Sequence, residues 1–183
     1  MRQLPNLICI ARVVLLWPTL QALAAGRFGL AAGCFAVAGV SDLLDGYLAK
    51  RFSWTSELGK WLDPAADKLL LAGVFIASTL LGLVPAWLTL LVVARDAVIA
   101  LGAVLFVAFI GPLRGHATAM SKLNTLVQLA YLEGVMLCHA LGWVPGMLLL
   151  LGAIVTATTT LVSGCGYVFD YAGRLLRRSR TAG

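Results

Sequence analysis

Apolar residues fill six stretches of this chain, and each is about as long as the roughly 20-residue helix that crosses the hydrocarbon core of a bilayer. They run Leu7–Ala25, Phe28–Lys50, Leu58–Leu81, Ala86–Ile110, Met120–Leu141 and Val144–Tyr171. The breaks fall at Gly26-Arg27, Arg51–Glu57, Gly82–Pro85, Gly111–Ala119 and Gly142-Trp143. These are clusters of glycine, proline and charge, as connectors require. Of the 183 residues, 61% are hydrophobic and 12% charged, against about 45–50% apolar and about 25% charged in a soluble domain. A soluble core this small cannot hide so much apolar surface. The expected fold is therefore all-α: a polytopic membrane protein of six transmembrane helices, forming one domain over residues 1–183. There is no internal repeat and no polar insert of domain size. The first stretch carries Arg12 in its interior and only a weak small-residue cleavage pattern at Ala22–Gly26. It is expected to be kept rather than removed as a signal peptide.

Six spans put both termini on one side of the membrane. That side collects Arg2, Lys50, Arg51, Lys60, Arg114, Lys122, Arg174, Arg177, Arg178 and Arg180, and the other keeps Arg27. Such an asymmetry places both termini in the cytoplasm. The formal net charge of +6 thus reads as topology control and contact with anionic headgroups, not as a nucleic-acid surface. The basic tail Arg174–Arg180 is expected to anchor to the inner leaflet. Trp54, Trp87 and Trp143 lie near span ends and read as interfacial anchors. Cys9, Cys34, Cys138 and Cys165 are scattered without metal or disulfide spacing and read as buried small hydrophobes.

Of eight acidic residues, five fall within Asp42–Asp67, and four of them, all Asp, lie at or inside expected spans. A carboxylate at membrane depth costs about 2.5–3.5 kcal/mol and needs a partner or a purpose. Four together repel unless a cation lies between them. Asp42 and Asp45 are three apart, and Asp63 and Asp67 four apart, so on helices each pair shares a face. The short Arg51–Glu57 connection allows the two helices to fold back and the pairs to meet. Clustered carboxylate oxygens suit hard divalent ions such as Mg²⁺ or Mn²⁺. Singly, each residue has a plainer reading. Asp63 before Pro64 resembles a helix N-cap followed by proline at the first helical position. Asp42 or Asp45 could pair with Lys50 or Lys68. Gly46 lies one turn after Asp42 and Gly59 one turn before Asp63. Small residues on such a face permit close packing or close approach of a ligand. With Ala49 and Lys50 extending the face, the cleft suits a nucleotide pyrophosphate.

The stretch Asp42-Leu-Leu-Asp45-Gly46-Tyr-Leu-Ala49-Lys50, eight further residues, then Gly59-x-x-x-Asp63-x-x-x-Asp67 resembles the signature of the CDP-alcohol phosphatidyltransferases. Seven of its eight fixed positions match at the right spacing over 26 residues. The departure is Lys50, where the family has Arg. Lysine keeps the charge but loses the planar fork. The resemblance continues through Pro5-Asn6-Leu7 with Arg12, Phe35–Arg51, Leu62–Leu71, Ala94-Arg95-Asp96, Ser121–Thr125 and Asp170–Arg174. These segments look most like cardiolipin synthases of the phosphatidyltransferase type. Phosphatidylglycerophosphate synthases are similar, with Arg-Glu at Arg95-Asp96 and a second Lys where this chain has Asn124.

The resemblance implies a two-metal site at Asp42, Asp45, Asp63 and Asp67, with Asp67 as general base and the site facing the cytoplasm. It implies a cytidine and pyrophosphate pocket lined by Asp45, Gly46, Ala49, Lys50 and Gly59. The implied donor is CDP-diacylglycerol and the acceptor phosphatidylglycerol, giving cardiolipin, with glycerol 3-phosphate as the alternative. A homodimer is also implied. Arg95, Arg114 and Lys122 are candidates for the acceptor's phosphate, although Arg95 beside Asp96 equally reads as a structural ion pair and Lys122 as a snorkelling anchor. Arg12 has the same ambiguity. His116 and His139 carry no expected role, and Glu133 mid-span has no evident partner. The rival from another class is a small ion or metal transporter, since intramembrane carboxylates also mark ion paths. Against it, Ala86–Tyr171 holds no inverted counterpart of the carboxylate half.

Overall fold

The computed structural model describes the backbone of residues 4–52, 59–109 and 119–181, and the side chains of residues 14–41, 68–104 and 119–167. Six helices occupy them: α1 (Leu4–Ala24), α2 (Phe28–Phe52), α3 (Gly59–Leu80), α4 (Ala86–Phe109), α5 (Ala119–Ala140) and α6 (Gly146–Thr181). Among the described residues there is no strand. The bounds follow the apolar stretches closely except at α6, which continues as helix to Thr181 through the basic tail. At 36 residues and 1.5 Å per residue, α6 is about 54 Å long, well beyond a hydrocarbon core of about 30 Å.

Three connections share one geometry. Gly26, Gly82 and Gly142 follow α1, α3 and α5 with φ of 69°, 73° and 68°, a left-handed backbone that only glycine adopts without cost. The next amide then reaches back into the helix end. Arg27 N–H donates to Ala22 O at 2.8 Å, Leu83 N–H to Ser78 O at 2.8 Å and Trp143 N–H to Cys138 O at 3.1 Å. These bonds satisfy carbonyls that the helix end leaves open. The turns join α1 to α2, α3 to α4 and α5 to α6. The carboxylate-bearing halves of α2 and α3 are the halves away from these turns.

Helix α1 packs on α2 and α3, α5 on α2 and α6, and α4 on α6 and α3. Among the described residues, α2 and α3 do not pack against each other. The core is Phe35 and Ala38 from α2, Val74 and Phe75 from α3, Leu88 and Val92 from α4, and Leu132, Val135 and Met136 from α5. Outside it, Trp17, Leu30, Leu90, Leu101 and Leu150 are exposed. Large exposed apolar surfaces of this kind mark contact with a membrane or with another protein. Within α4 and α6, Ala86–Val104 and Gly146–Tyr167 are each long and apolar enough to cross a membrane. Val14–Ala24, Phe28–Ser41 and Lys68–Leu80 are apolar over shorter lengths.

Candidate active site

Asp42 and Asp45 fall in the second half of α2, and Asp63 and Asp67 in the first half of α3. Both pairs therefore stand on helical backbone, where spacings of three and four keep each pair on one face. Helix α3 begins at Gly59, four residues before Asp63. Asp63 is thus inside the helix, which removes its reading as an N-cap. Gly46, Ala49 and Lys50 continue α2, and Gly59 opens α3. The side chains of these residues and Arg12, and the whole of Arg114 and His116, lie outside the described residues, as does any meeting of the two carboxylate pairs. Four carboxylates on helical backbone fit a hard divalent cation by donor chemistry. Among the described side chains no group of three or more His, Cys, Asp or Glu could hold a metal.

From Lys68, the residue after Asp67, the side chains of α3 are described, and Lys68 reaches α4. Lys68 Nζ donates to Asp96 Oδ1 at 2.6 Å, and Arg95 donates through a terminal nitrogen to the same oxygen at 2.6 Å. The other terminal nitrogen of Arg95 donates to Ser121 Oγ on α5 at 3.2 Å and to Ser163 Oγ on α6. The guanidinium also lies over the ring of Tyr167, 5.7 Å from its centroid, within range of a cation–π attraction. Arg95 is 7% exposed, and its Nε has no partner among the described residues. At Gly164 an added Cβ would stand 3.2 Å from Arg95 Cγ, so glycine gives the arginine stem its room. Of the two readings of Arg95, the structural ion pair is the one this geometry displays. Asp96 also supplies the partner for Lys68.

A second polar seam runs between α5 and α6. Asn124 Oδ1 accepts from Thr159 Oγ1 at 3.0 Å and from Thr160 Oγ1 at 2.9 Å. Gln128 Nε2 donates to Thr160 Oγ1 at 3.2 Å. Asn124 and Gln128 are fully buried, and Asn124 Nδ2 and Gln128 Oε1 are left without a partner among the described residues. Asn124, which stands where the sister enzymes have a second Lys, joins α5 to α6. Lys122, two residues before it, is exposed at the start of α5. His139 is engaged locally, its Nδ1 2.8 Å from Val135 O and its ring against Phe28. Glu133 keeps one buried oxygen without a partner among the described residues.

Sequence reasoning passed over Ser163, Tyr167 and the threonines of α6. A signal was present. Thr156, Thr160, Ser163 and Tyr167 recur at intervals of four, three and four, a polar stripe on an otherwise apolar helix. In lipid such a stripe faces another helix, because hydrocarbon offers hydroxyls no partner.

The sequence model of the CDP-alcohol phosphatidyltransferase family matches residues 2–162. A Streptomyces coelicolor protein named cardiolipin synthase (CMP-forming) is 31% identical over 98% of this chain and 86% of its own length. A rat protein of the same name is 32% identical over 90% of the chain, which spans 60% of that protein. A Bacillus subtilis CDP-diacylglycerol–glycerol-3-phosphate 3-phosphatidyltransferase is 31% identical over 56% of the chain and 52% of its own length.

Proposed function

This chain belongs to the CDP-alcohol phosphatidyltransferase family, and from that premise we propose that it transfers a phosphatidyl group from CDP-diacylglycerol to phosphatidylglycerol, releasing cardiolipin and CMP. The observation that carries the acceptor is the likeness to the Streptomyces cardiolipin synthase along 98% of the chain. Membership in an enzyme family of phospholipid biosynthesis leaves the ion-transporter reading without support.

In this reading Asp67 takes the proton from the acceptor hydroxyl. The freed oxygen attacks the β-phosphorus of the CDP-lipid, and the bond from that phosphorus to the bridging pyrophosphate oxygen breaks. The electron pair leaves with CMP. Asp45, Gly46, Ala49, Lys50 and Gly59 hold the cytidine and pyrophosphate, the small residues by allowing close approach and Lys50 by its charge. Asp42, Asp45, Asp63 and Asp67 would hold Mg²⁺ or Mn²⁺, which would supply neutralising charge for the pyrophosphate and the departing CMP. Arg95, Arg114 and Lys122 are the cations assigned to the acceptor's phosphate, Arg95 being bonded to protein groups as well.

All six helices cross the bilayer as one domain over residues 1–183, with both termini and the carboxylate cleft on the cytoplasmic side. The ten-to-one distribution of Lys and Arg between the two sides supports this orientation. A homodimer belongs to the same proposal, by resemblance.

The likeness to the Bacillus subtilis enzyme favours a second reading, with glycerol 3-phosphate as acceptor. The test offers both acceptors at matched concentration to purified protein with labelled CDP-diacylglycerol and Mg²⁺, then separates the lipids. Cardiolipin is the expected product. Phosphatidylglycerophosphate as the main product overturns the acceptor assignment and leaves the transfer reaction standing.

A further inference from the structure

Two cations and one carboxylate from neighbouring helices meet at Asp96. Lys68 comes from α3, while Arg95 and Asp96 come from α4. Arg95 then carries the connection onward to Ser121 on α5 and to Ser163 and Tyr167 on α6. A single guanidinium and carboxylate thus tie α3 to three other helices. The tie is directional. Guanidinium nitrogens lie in a fixed plane, so NH1 toward Asp96 and NH2 toward two hydroxyls, with one face over Tyr167, define one orientation. Ser163 itself is buried, as is Arg95. In surroundings of low dielectric such charge-assisted bonds resist rearrangement.

What this tie holds on α3 is the residue next to Asp67. Lys68 follows Asp67 directly, about 100° around the helix and about 1.5 Å along it. An α-helix is stiff over one turn, so the rotation that brings Lys68 to Asp96 also sets the rotation of the turn bearing Asp63 and Asp67. Among the described residues α3 receives its other packing from α1, α4 and α5. Gly73, facing Leu16 of α1, is a smooth contact: an added Cβ would lie 3.3 Å from Leu16 Cδ1. A glycine against a leucine fixes distance but constrains rotation little. The buried Leu70, Leu71, Val74 and Phe75 orient α3 from Leu70 onward, and the Lys68–Asp96 ion pair adds the rotational constraint nearest Asp67.

We propose that Arg95 and Asp96 are positioning residues which, through Lys68, set the rotation of α3 at Asp67 and so tune the affinity of the four-aspartate site for its divalent cation. This rests on the metal-site reading given above. Groups that orient ligands without touching the metal change its affinity by about 10- to 100-fold when lost.

The experiment measures Mn²⁺ binding to metal-free, detergent-solubilised full-length protein, by calorimetry and by the Mn²⁺-dependent rise in melting temperature. Asp96→Asn keeps the side-chain shape and removes the charge. It is expected to weaken Mn²⁺ binding by about 10-fold or more. Lys68→Met is expected to weaken binding similarly, and the double variant to be no worse than either single one, because both break one contact. Lys68→Arg, which keeps the ion pair, is expected to bind Mn²⁺ as the unaltered protein does. If Asp96→Asn fails to fold, the half-exposed Lys68 variants carry the test alone. Unaltered Mn²⁺ affinity in Asp96→Asn or, failing that, in Lys68→Met overturns the proposal, even where the melting temperature falls. Failure of the underlying metal reading looks different. There, Asp67→Asn binds Mn²⁺ as tightly as the unaltered protein.

Discussion

The ring of Tyr131 on α5 lies against Gly152 on α6 so closely that a Cβ at Gly152 would stand 2.9 Å from Tyr131 Cδ2. No side chain fits there unless the ring or a helix moves. Tyr131 is itself nearly buried and packs toward Ala153 and Leu132 in the core. Overpacking a close-packed interior costs about 1–3 kcal/mol. Gly152→Ala is expected to lower stability by about that amount, read as a lower melting temperature in detergent. Turnover at low temperature should persist, since the contact lies on the side of the bundle near the Gly142 turn. A variant as stable as the unaltered protein would show that the helices do not approach as described.

Asn124 carries a prediction about specificity. The sister enzymes tend to have Lys there, which invites the idea that a lost cation explains a less charged acceptor. The structure places Asn124 fully buried, with its carbonyl oxygen bound to Thr159 and Thr160. Asn124→Lys is therefore expected to destabilise the α5–α6 seam through an unpaired buried charge and not to confer use of glycerol 3-phosphate. Asn124→Ala should cost about 0.6–1.7 kcal/mol, the range for interhelical hydrogen bonds in membranes. Product analysis with both acceptors decides the first point and thermal unfolding the second. Efficient phosphatidylglycerophosphate synthesis by Asn124→Lys would restore the charge argument.

Metal removal is the third test. Four aspartates within 26 residues need a cation between them to share a site. Activity is expected to vanish in excess EDTA and to return on adding Mg²⁺ or Mn²⁺. Full turnover after bound metal has been stripped sinks the metal site.

Lys50 gives the fourth. It stands where the family signature has Arg, and an arginine fork grips a phosphate at two points. Lys50→Arg is expected to retain or raise activity. Lys50→Ala should raise the KM for CDP-diacylglycerol several-fold while leaving the fold intact. An unchanged KM in the alanine variant would mean that Lys50 serves only as a topology charge.

The helices were readable from the sequence because each is a local property. An apolar run of sufficient length, ended by Gly26, Gly82 or Gly142, forms a helix and stops it whatever its neighbours do. The Asp42–Asp67 signature was equally plain, since its spacing is written along α2 and α3 themselves. The extent of α6 was not. Its last turns are polar and basic, and hydropathy marks the end of an apolar stretch rather than the end of a helix.

The partners of the polar side chains belong to the tertiary structure alone. Arg95 beside Asp96 left an acceptor site and an ion pair equally open. The folded bundle adds the pairing of Asp96 with Lys68, 28 residues away, and the bond from Arg95 to Ser163, 68 residues away. Likewise nothing local to Asn124 shows that Thr159 and Thr160 will take its carbonyl. Sequence by itself determined the all-helical class, the family and the acidic motif, because chain spacing and apolar length act within one helix. Only the folded bundle decided which cations and amides are bound to protein, because those bonds depend on the order, register and rotation of helices packed against one another.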